Sequence, residues 1–206
     1  MKTENRREYK INCTEHESIR ILNFYNNKLS HLYKDRLITS LYFDSLNFDI
    51  YRHNSINDSD KFTIRYRRYN DKSVLSKEVK INNSSGKKKI VDVSEYSNFS
   101  EIDVFIYKGR TYYPSLFTSY NRTYLQTDNL RITLDKNITF KSHSFRNLHL
   151  REKTMKSVVV EFKLLNASQD IDILKNIVGY PIGFSKFLNG TERLYKNILL
   201  KSGISS

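Results

Sequence analysis

The sequence has almost none of the residues that cross-link a chain, and it has no long hydrophobic run. Its single cysteine, Cys13, excludes an internal disulfide and fits a reducing compartment. No segment approaches the ~20 consecutive apolar residues that a membrane-spanning helix requires. Residues 1–7 are not followed by the apolar stretch of a signal peptide. We therefore expect a cytoplasmic protein whose residues 1–206 form one domain.

The motifs of several common catalytic sites are also missing. Gly86-Lys87 lacks both the earlier glycine and the following Ser or Thr of a Walker phosphate-binding loop. The five histidines show no metal-ligand spacing. Cys13 has no CxxC partner that would indicate a reactive thiol. The residues left as candidates for chemistry are therefore lysines, arginines and a few carboxylates.

Positive charge is what the sequence has in excess. The chain carries 35 Lys and Arg against 22 Asp and Glu, which gives a net charge of +13 and a pI near 9.7. This balance predicts an anionic partner, which could be nucleic acid, phosphates or an acidic surface. Only 38% of the residues are hydrophobic, but 15 Tyr and 12 Phe supply large buried areas for a core.

One strand-like segment, Lys61–Tyr69, shows how the charge is arranged. In a strand, Lys61, Thr63, Arg65 and Arg67 would lie on one face, and apolar residues would lie on the other. Taken alone, the charged face could simply be solvated. The same alternation recurs, however, in four more segments: Glu8–Ile11, Glu78–Ile81, Arg131–Asp135 and Val160–Leu164. A sheet that closed with these faces inward would form a cationic lumen for polyanions and metal.

The remaining pattern places the other elements. Thr14, with Glu17 three residues later, predicts the start of a capped helix. Tyr112–Gln126 predicts one long strand that is broken or bent near Pro114. Short turns between successive strands favour antiparallel pairing. Further helices are expected in four segments, of which the second would also contain a loop: Leu46–Tyr51, Ser94–Gly109, Ile171–Val178 and Gly190–Leu200.

The charged residues suit phosphoryl transfer better than covalent catalysis. Moving a phosphoryl group depends mainly on positioning and on neutralising charge, which lysines and arginines supply. Hard divalent cations such as Mg²⁺ or Mn²⁺ bind carboxylate and phosphate oxygens, so one or two glutamates would be enough. Glu8, Glu78 and Glu161 are the candidates on the alternating segments.

Several blocks of the sequence resemble, in order, the vacuolar transporter chaperone (VTC) domain. They span nearly the whole chain: Arg6-x-Glu8-x-Lys10, Ser40–Asp44, Ile64–Tyr69, Glu78–Lys80, Tyr113–Leu116, Tyr120–Thr123, Arg131–Asp135, Val160–Lys163 and Phe184–Phe187. The resemblance implies a triphosphate tunnel metalloenzyme. Its α+β fold would be a closed antiparallel β-barrel tunnel of about eight strands with helices packed outside. It also implies a polymerase that transfers the γ-phosphate of ATP onto polyphosphate with a divalent metal, commonly Mn²⁺.

The resemblance also implies roles for individual residues. Glu161 corresponds to the metal-binding carboxylate, and Glu8 is a second candidate. Together with Glu161, the catalytic set would include Arg65, Arg67 and Lys80. A further basic residue is expected after the Gly86 turn, but the run Lys87–Lys89 leaves its identity open. Phosphate binding is implied for Lys10, Arg65, Arg67, Lys80, Arg122, Arg131 and Lys186.

Three positions depart from the family pattern. Ile11 and Phe187 stand where many members have Tyr, and Glu8 is the one acid in a strand where other tunnel enzymes have two. The last departure argues against a tripolyphosphatase or thiamine-triphosphate hydrolase.

The alternatives that stay open are a metal-dependent triphosphatase or polyphosphatase and a non-catalytic binder of polyphosphate or nucleic acid. The expected partners are ATP and polyphosphate or inorganic phosphate, without nucleic acid. The chain resembles a stand-alone, bacterial-type version of the family, so any membrane-protein partner would be encoded elsewhere.

Overall fold

One antiparallel sheet of ten strands organises the chain. The structure is a computed structural model that describes residues 8–25, 28–57, 60–70, 73–84, 86–146, 150–164 and 183–201. The strands are β1 (Glu8–Cys13), β2 (Ser30–Asp44), β3 (Lys61–Tyr69), β4 (Ser76–Asn83), β5 (Gly86–Val93), β6 (Phe105–Tyr107), β7 (Arg110–Gln126), β8 (Leu130–Ser142), β9 (Glu152–Thr154) and β10 (Val158–Leu164). Their order in the sheet is β1-β10-β8-β7-β2-β3-β4-β5, with β6 paired to β7 and β9 paired to β8.

The sheet curls until its two edges face each other. β1 and β5 lie at opposite ends of the strand order. Nevertheless, Lys87 Nζ on β5 is 3.3 Å from Glu8 Oε2 on β1, and Lys80 Nζ on β4 is 3.8 Å from the same oxygen. Backbone ladders between described residues do not join β1 to β5. The predicted antiparallel architecture is thus confirmed as a curled sheet whose edges meet through side chains, whereas a continuous barrel ladder is not observed.

The convex face of the sheet packs against apolar side chains, as the alternation predicts. Ile64, Tyr66 and Phe162 are almost fully buried, while Arg65 and Glu161 of the same strands lie on the concave face. Helix α1 (Glu15–Phe24) covers part of the convex face through Ile21. Its predicted cap is confirmed, because Thr14 and Glu17 form the reciprocal bonds of a capping box.

The next helix, α2 (Asp49–Ile56), is fixed at its start by a buried carboxylate. Asp44 accepts hydrogen bonds from the backbone N–H groups of Ile50 (2.8 Å) and Tyr51 (3.0 Å). These N–H groups lie in the first turn and have no partner within the helix, so the carboxylate satisfies them. Arg146 then donates to the carbonyls of Asp44, Ser45 and Leu46, which anchors the end of β2.

The last helix, α3 (Lys186–Lys201), does not lie outside the sheet as expected. It packs on the concave face at the end where β2 stops. Phe187 stacks on Tyr42 with ring centroids 5.5 Å apart, and Gly190 lies directly against Leu116 and Phe140. This end of the concave face carries apolar side chains, which need a cover that the charged end does not. Helices therefore cover both faces of the curled sheet.

Two further expectations need correction or lie outside the described residues. The segment Ser94–Gly109 was expected to contain a helix, but it forms a 3₁₀ turn (Phe99–Glu101) and the short strand β6. Lys108 and Gly109 both have positive φ (49° and 71°), so they make a tight hairpin that pairs β6 with β7. The expected helix Ile171–Val178 lies outside the described residues. None of the helices in the described part of the chain has the length and hydropathy that membrane crossing requires.

Gly190 provides a test of how closely α3 packs on the sheet. A Cβ at this position would lie 2.7 Å from Phe140 Cδ1 and 2.9 Å from Leu116 Cδ1, and both of those side chains are fully buried. Gly190→Ala gains up to ~1 kcal/mol of helix propensity, but overpacking a core costs ~1–3 kcal/mol. We expect a net loss of about 1 kcal/mol in the free energy of unfolding, measured by urea denaturation.

The matched control is Asn197→Ala, which makes the same helix-favouring change on the exposed face of α3. It should leave stability unchanged or raise it slightly. A Gly190→Ala protein as stable as this control would show that α3 is not packed tightly on β7 and β8.

Candidate functional site: the charged concave face

The strand registers place the predicted charged residues on one concave face. Lys10 lies directly opposite Glu161, and Lys163 lies opposite Arg131. On the other side of the sheet, Arg65 lies opposite both Tyr42 and Glu78. Residues that are directly opposite in a ladder point to the same side of the sheet. The concave face is therefore built from β1, β10, β8, β7, β2, β3, β4 and β5.

Glu78 joins the cations of β3 and β5. Its Oε2 accepts from Arg65 Nε (2.7 Å) and Nη2 (2.6 Å), and its Oε1 accepts from Lys89 Nζ (2.8 Å). Arg67 Nη1 is 3.9 Å away, while Arg67 Nε donates to Ser40 Oγ at 2.9 Å. Burial would raise the pKa of Glu78, but Arg65, Arg67 and Lys89 outweigh it and lower the pKa to about 2. Both oxygens of this ionised carboxylate are thus held by short hydrogen bonds.

Asp135 on β8 likewise joins cations, in this case one from β7 and one from α3. Its carboxylate accepts from Arg122 Nε (2.5 Å) and Nη2 (2.7 Å) and also from Lys186 Nζ. Burial raises the pKa of Asp135, but Lys186 and Arg122 lower it further than burial raises it. Sequence reasoning left Asp135 out of the site, although it alternates with Arg131 and Thr133 on one strand. Arg122 and Lys186 are consequently fixed by a partner that the predicted site did not include.

Glu161 and Glu8 differ from these two carboxylates because their contacts are longer. Glu161 has Lys163 Nζ at 3.4 Å and Arg122 Nη2 at 3.9 Å. Glu8 has Lys87 and Lys163 at 3.3 Å and Lys80 at 3.8 Å. Burial raises the pKa of each, but the surrounding cations more than compensate, so both pKa values are lowered. Both groups are ionised and have no short hydrogen bond from a described residue.

Three of the predicted phosphate-binding cations lack close partners among the described residues. Lys10 forms no hydrogen bond or ion pair there, and Arg131 Nε is buried without a hydrogen-bond partner. Lys80 has only the 3.8 Å contact to Glu8. Burial lowers the pKa of Lys10, and burial together with neighbouring Lys10 lowers the pKa of Lys80 to about 8. An anion bound between these side chains would relieve their repulsion.

The alternation of side chains along β5 decides which lysines after the Gly86 turn point to the concave face. Lys87 reaches Glu8, and Lys89 reaches Glu78, so both point to the concave face. Lys88 lies between them in the strand, and its side chain is exposed on the other face.

Tyr42 also lies among the cations, although sequence reasoning did not include it in the site. Its hydroxyl accepts from Arg65 Nη1 at 2.9 Å, and Phe187 stacks on its ring. Burial would raise the pKa of this phenol, but Arg65, Arg67 and Lys186 lower it to about 8. The sequence did contain a signal for this position, because Ser40 and Tyr42 alternate with Leu41 and Phe43 in β2. Phe187 of α3, one of the departures from the family pattern, therefore supports a tyrosine of β2.

The donor set fits a divalent metal that is shared with phosphate. The described residues contain no cluster of three or more His, Cys, Asp or Glu side chains that could bind a metal by themselves. Mg²⁺ and similar ions commonly use one or two carboxylates and complete their shell with substrate phosphates and water. Glu161 and Glu8 have ionised oxygens without short hydrogen bonds, whereas those of Glu78 and Asp135 are occupied. The residues that could hold the ion are therefore Glu161 and Glu8.

Solved structures with the same fold support this architecture. A protein from Bacillus halodurans described as a candidate adenylate cyclase superimposes with a TM-score of 0.55 at 12% identity, covering 92% of this chain and 98% of that one. A conserved hypothetical protein from Pyrococcus furiosus gives a TM-score of 0.51 at 11% identity, covering 89% and 99%. Identities this low show a shared fold alone. No curated protein matches the sequence.

A family comparison identifies the relationship that the sequence blocks indicated. The profile of the VTC domain matches residues 2–104 and 88–195, which together include all of the charged strands. The predicted resemblance is confirmed over most of the sequence. This chain belongs to the VTC domain family.

Proposed function

We propose that this protein is a polyphosphate polymerase, which transfers the γ-phosphate of ATP onto a polyphosphate chain bound on the concave face. The observation that carries this proposal is the division of the charged groups. Glu78 and Asp135 are saturated by short bonds from Arg65, Arg122 and other cations, so they support the frame. Lys10, Lys80 and Arg131 keep unused donors toward the same face. A triphosphate site requires both a frame of fixed cations and further cations whose donors are free to bind phosphate oxygens.

The proposed reaction assigns a task to each group. Five cations would bind and align the phosphates: Lys10, Lys80, Arg122, Arg131 and Lys186. Glu78 would hold Arg65 and Arg67 in place beside them. A terminal oxygen of polyphosphate or inorganic phosphate attacks the γ-phosphorus, the bond to the β–γ bridging oxygen breaks, and ADP leaves. Glu161, with Glu8, would hold a divalent ion, Mn²⁺ or Mg²⁺, which supplies charge neutralisation on the transferred group.

Two alternatives remain as outcomes of the test. A hydrolase would use the same groups with water as the nucleophile, but β1 offers Glu8 as its one acidic residue, unlike the paired acids of such enzymes. A nucleic-acid binder would present its cations on an open surface. In this fold the Glu8–Lys87 contact brings the sheet edges together, so the cations face one another rather than a duplex.

The direct test incubates the purified protein with ATP and Mn²⁺ and resolves the products on a gel that displays polyphosphate ladders. A ladder with equivalent ADP formation supports the polymerase. Release of inorganic phosphate without a ladder would replace it with the hydrolase. Binding of polyphosphate without turnover of ATP would indicate a non-catalytic protein.

Glu161→Gln tests the proposed metal site. The substitution keeps the volume of the side chain and removes the charge that would hold a divalent ion. We expect metal-dependent turnover to fall by about a hundredfold or more, because charge on the transferred group is no longer neutralised. ATP affinity measured by calorimetry in EDTA should persist or rise, because a negative charge near the phosphates is lost.

Two control variants are compared with Glu161→Gln. Glu152→Gln removes an exposed carboxylate on β9 and should change neither turnover nor affinity. Arg65→Ala should weaken ATP binding both with and without metal. Full metal-dependent turnover by Glu161→Gln would mean that the ion is held elsewhere, even with the fold unchanged.

Tyr42 and Lys80 make a prediction about pH, since the pKa of each is shifted to about 8. Below that pH the phenol is neutral and the ammonium is charged, which favours a bound polyanion. Above it the phenolate forms and the ammonium loses its proton, so the affinity for tripolyphosphate should fall. Removing one of the two titrations, in Tyr42→Phe, should reduce this fall by roughly threefold to tenfold.

Calorimetric titrations with tripolyphosphate in EDTA, from neutral pH to above the pKa of Tyr42, would measure the effect. Comparison with the unchanged protein cancels the titration of the ligand itself. Lys80→Arg should also flatten the profile, because arginine keeps its charge over this range. Identical profiles for Tyr42→Phe and the unchanged protein would show that the phenol does not titrate next to the phosphates.

A further inference from the structure

A cation outside the predicted site lies in line with the concave face. Arg36 on β2 is directly opposite Arg122 on β7, so both side chains project from the same side of the sheet. β2 is largely exposed before Arg36 and largely buried from Ile38 to Asp44. Gly190 of α3 packs on Leu116, which lies opposite Tyr42 near the other end of β2, so Arg36 stands at the opposite end of the face from this packing.

Two tyrosines hold the Arg36 guanidinium in position. Its Cζ is 4.8 Å from the ring centroid of Tyr33 and 5.5 Å from that of Tyr124. The rings themselves meet edge to face with centroids 5.5 Å apart. A cation over aromatic rings is attracted by the negative faces of the rings. The more important effect is entropic, because a long side chain that is already ordered loses less freedom when a ligand binds.

The same ring connects Arg36 with the inner cations. Arg122 Cζ lies 5.9 Å from the centroid of Tyr124, so both guanidinium groups lie beside this one ring. Arg122 is bound by Asp135 and belongs to the proposed phosphate-binding set. A polyanion that contacts Arg122 therefore needs only to continue past Tyr124 to reach Arg36.

The charge of Arg36 is not neutralised by the described residues. No described carboxylate lies within ion-pair distance of its guanidinium, in contrast to Arg65 and Arg122. The adjacent acid, Asp35, accepts a hydrogen bond from the hydroxyl of Thr123 at 2.9 Å instead. Arginine presents five N–H donors in a fork that matches phosphate oxygens. An ordered arginine with unused donors beside a phosphate-binding face is suited to bind another phosphate.

We propose that Arg36, held by Tyr33 and Tyr124, forms an outer anion subsite that binds the phosphate units of a polyphosphate chain beyond those taken by the inner cations. This subsite rests on the proposed function, because it extends the same bound polyanion. It predicts a dependence on chain length. Tripolyphosphate is held by the inner cations and ends before Arg36, whereas a long chain contacts both.

The test compares Arg36→Ala with the unchanged protein, using inorganic tripolyphosphate and long-chain inorganic polyphosphate as ligands. Affinities are measured by calorimetry in EDTA, so the result does not depend on turnover or metal. We expect long-chain affinity to fall by about tenfold, the loss expected for a charge-assisted phosphate contact. Tripolyphosphate affinity should stay within about twofold of the original value. The salt dependence of long-chain binding should also lose about one unit of slope.

Two further variants separate charge from positioning. Arg36→Lys keeps the charge but loses the fork, so it should recover only part of the long-chain affinity. Tyr33→Leu leaves Arg36 intact and removes one ring that orders it, so it should weaken long-chain binding less than Arg36→Ala does. Lys108→Ala is the matched control, because Lys108 also lies over a tyrosine ring, that of Tyr107 at 5.7 Å, but on the β6–β7 turn. It should change neither affinity.

Several outcomes would overturn the subsite. Unchanged long-chain affinity in Arg36→Ala would show that the cation only packs on the tyrosines. Equal losses for both ligands would place Arg36 in the inner site or reveal a structural role. If the unchanged protein bound neither phosphate ligand, the proposed function itself would fail and the subsite with it.

Discussion

Buried carboxylates beside buried cations are the constraint on which the concave face depends. Curling the sheet takes guanidinium and ammonium groups out of water, which costs several kcal/mol per ion if they are unpaired. Glu78 and Asp135 offset that cost by joining cations from different strands and from α3 with short bonds. Removing one partner of such a pair typically costs ~3–5 kcal/mol, because the remaining charges stay buried. The positions of the arginines therefore follow from these two acids as much as from strand pairing.

The same ion pairs explain why a basic face can be both stable and able to bind. Cations that form short bonds to a carboxylate, such as Arg65 and Arg122, give the face its shape, and they need no ligand to stay in place. Lys10 and Lys80 are less well compensated, and their pKa values are lowered as a result. A bound phosphate chain would raise the pKa of both lysines. Ligand binding and proton uptake are thus linked on this face, whatever reaction follows.

Sequence patterns predicted the faces of the strands well and the partners across them poorly. Alternation was enough to place Arg65, Lys80 and Glu161 on one side, because a strand fixes the direction of every second side chain. It could not show that Asp135 binds Lys186, since that contact joins residues 51 positions apart through the docking of α3. The hairpin at Lys108 was missed for a related reason. Positive φ at a lysine is favoured there by the pairing of β6 with β7, not by its own propensity.

The position of α3 gives the concave face a direction. Beyond Tyr42, its contacts with Leu116 and Phe140 fill one end with apolar side chains, so a polyanion has no charged partner at that end. At the opposite end the charged row continues through Arg122 to Arg36. A polyanion that continues past Tyr124 would therefore run away from α3 and toward Arg36. The proposed polymerase function requires such a direction, because an enzyme that extends a polymer must bind a product longer than its donor.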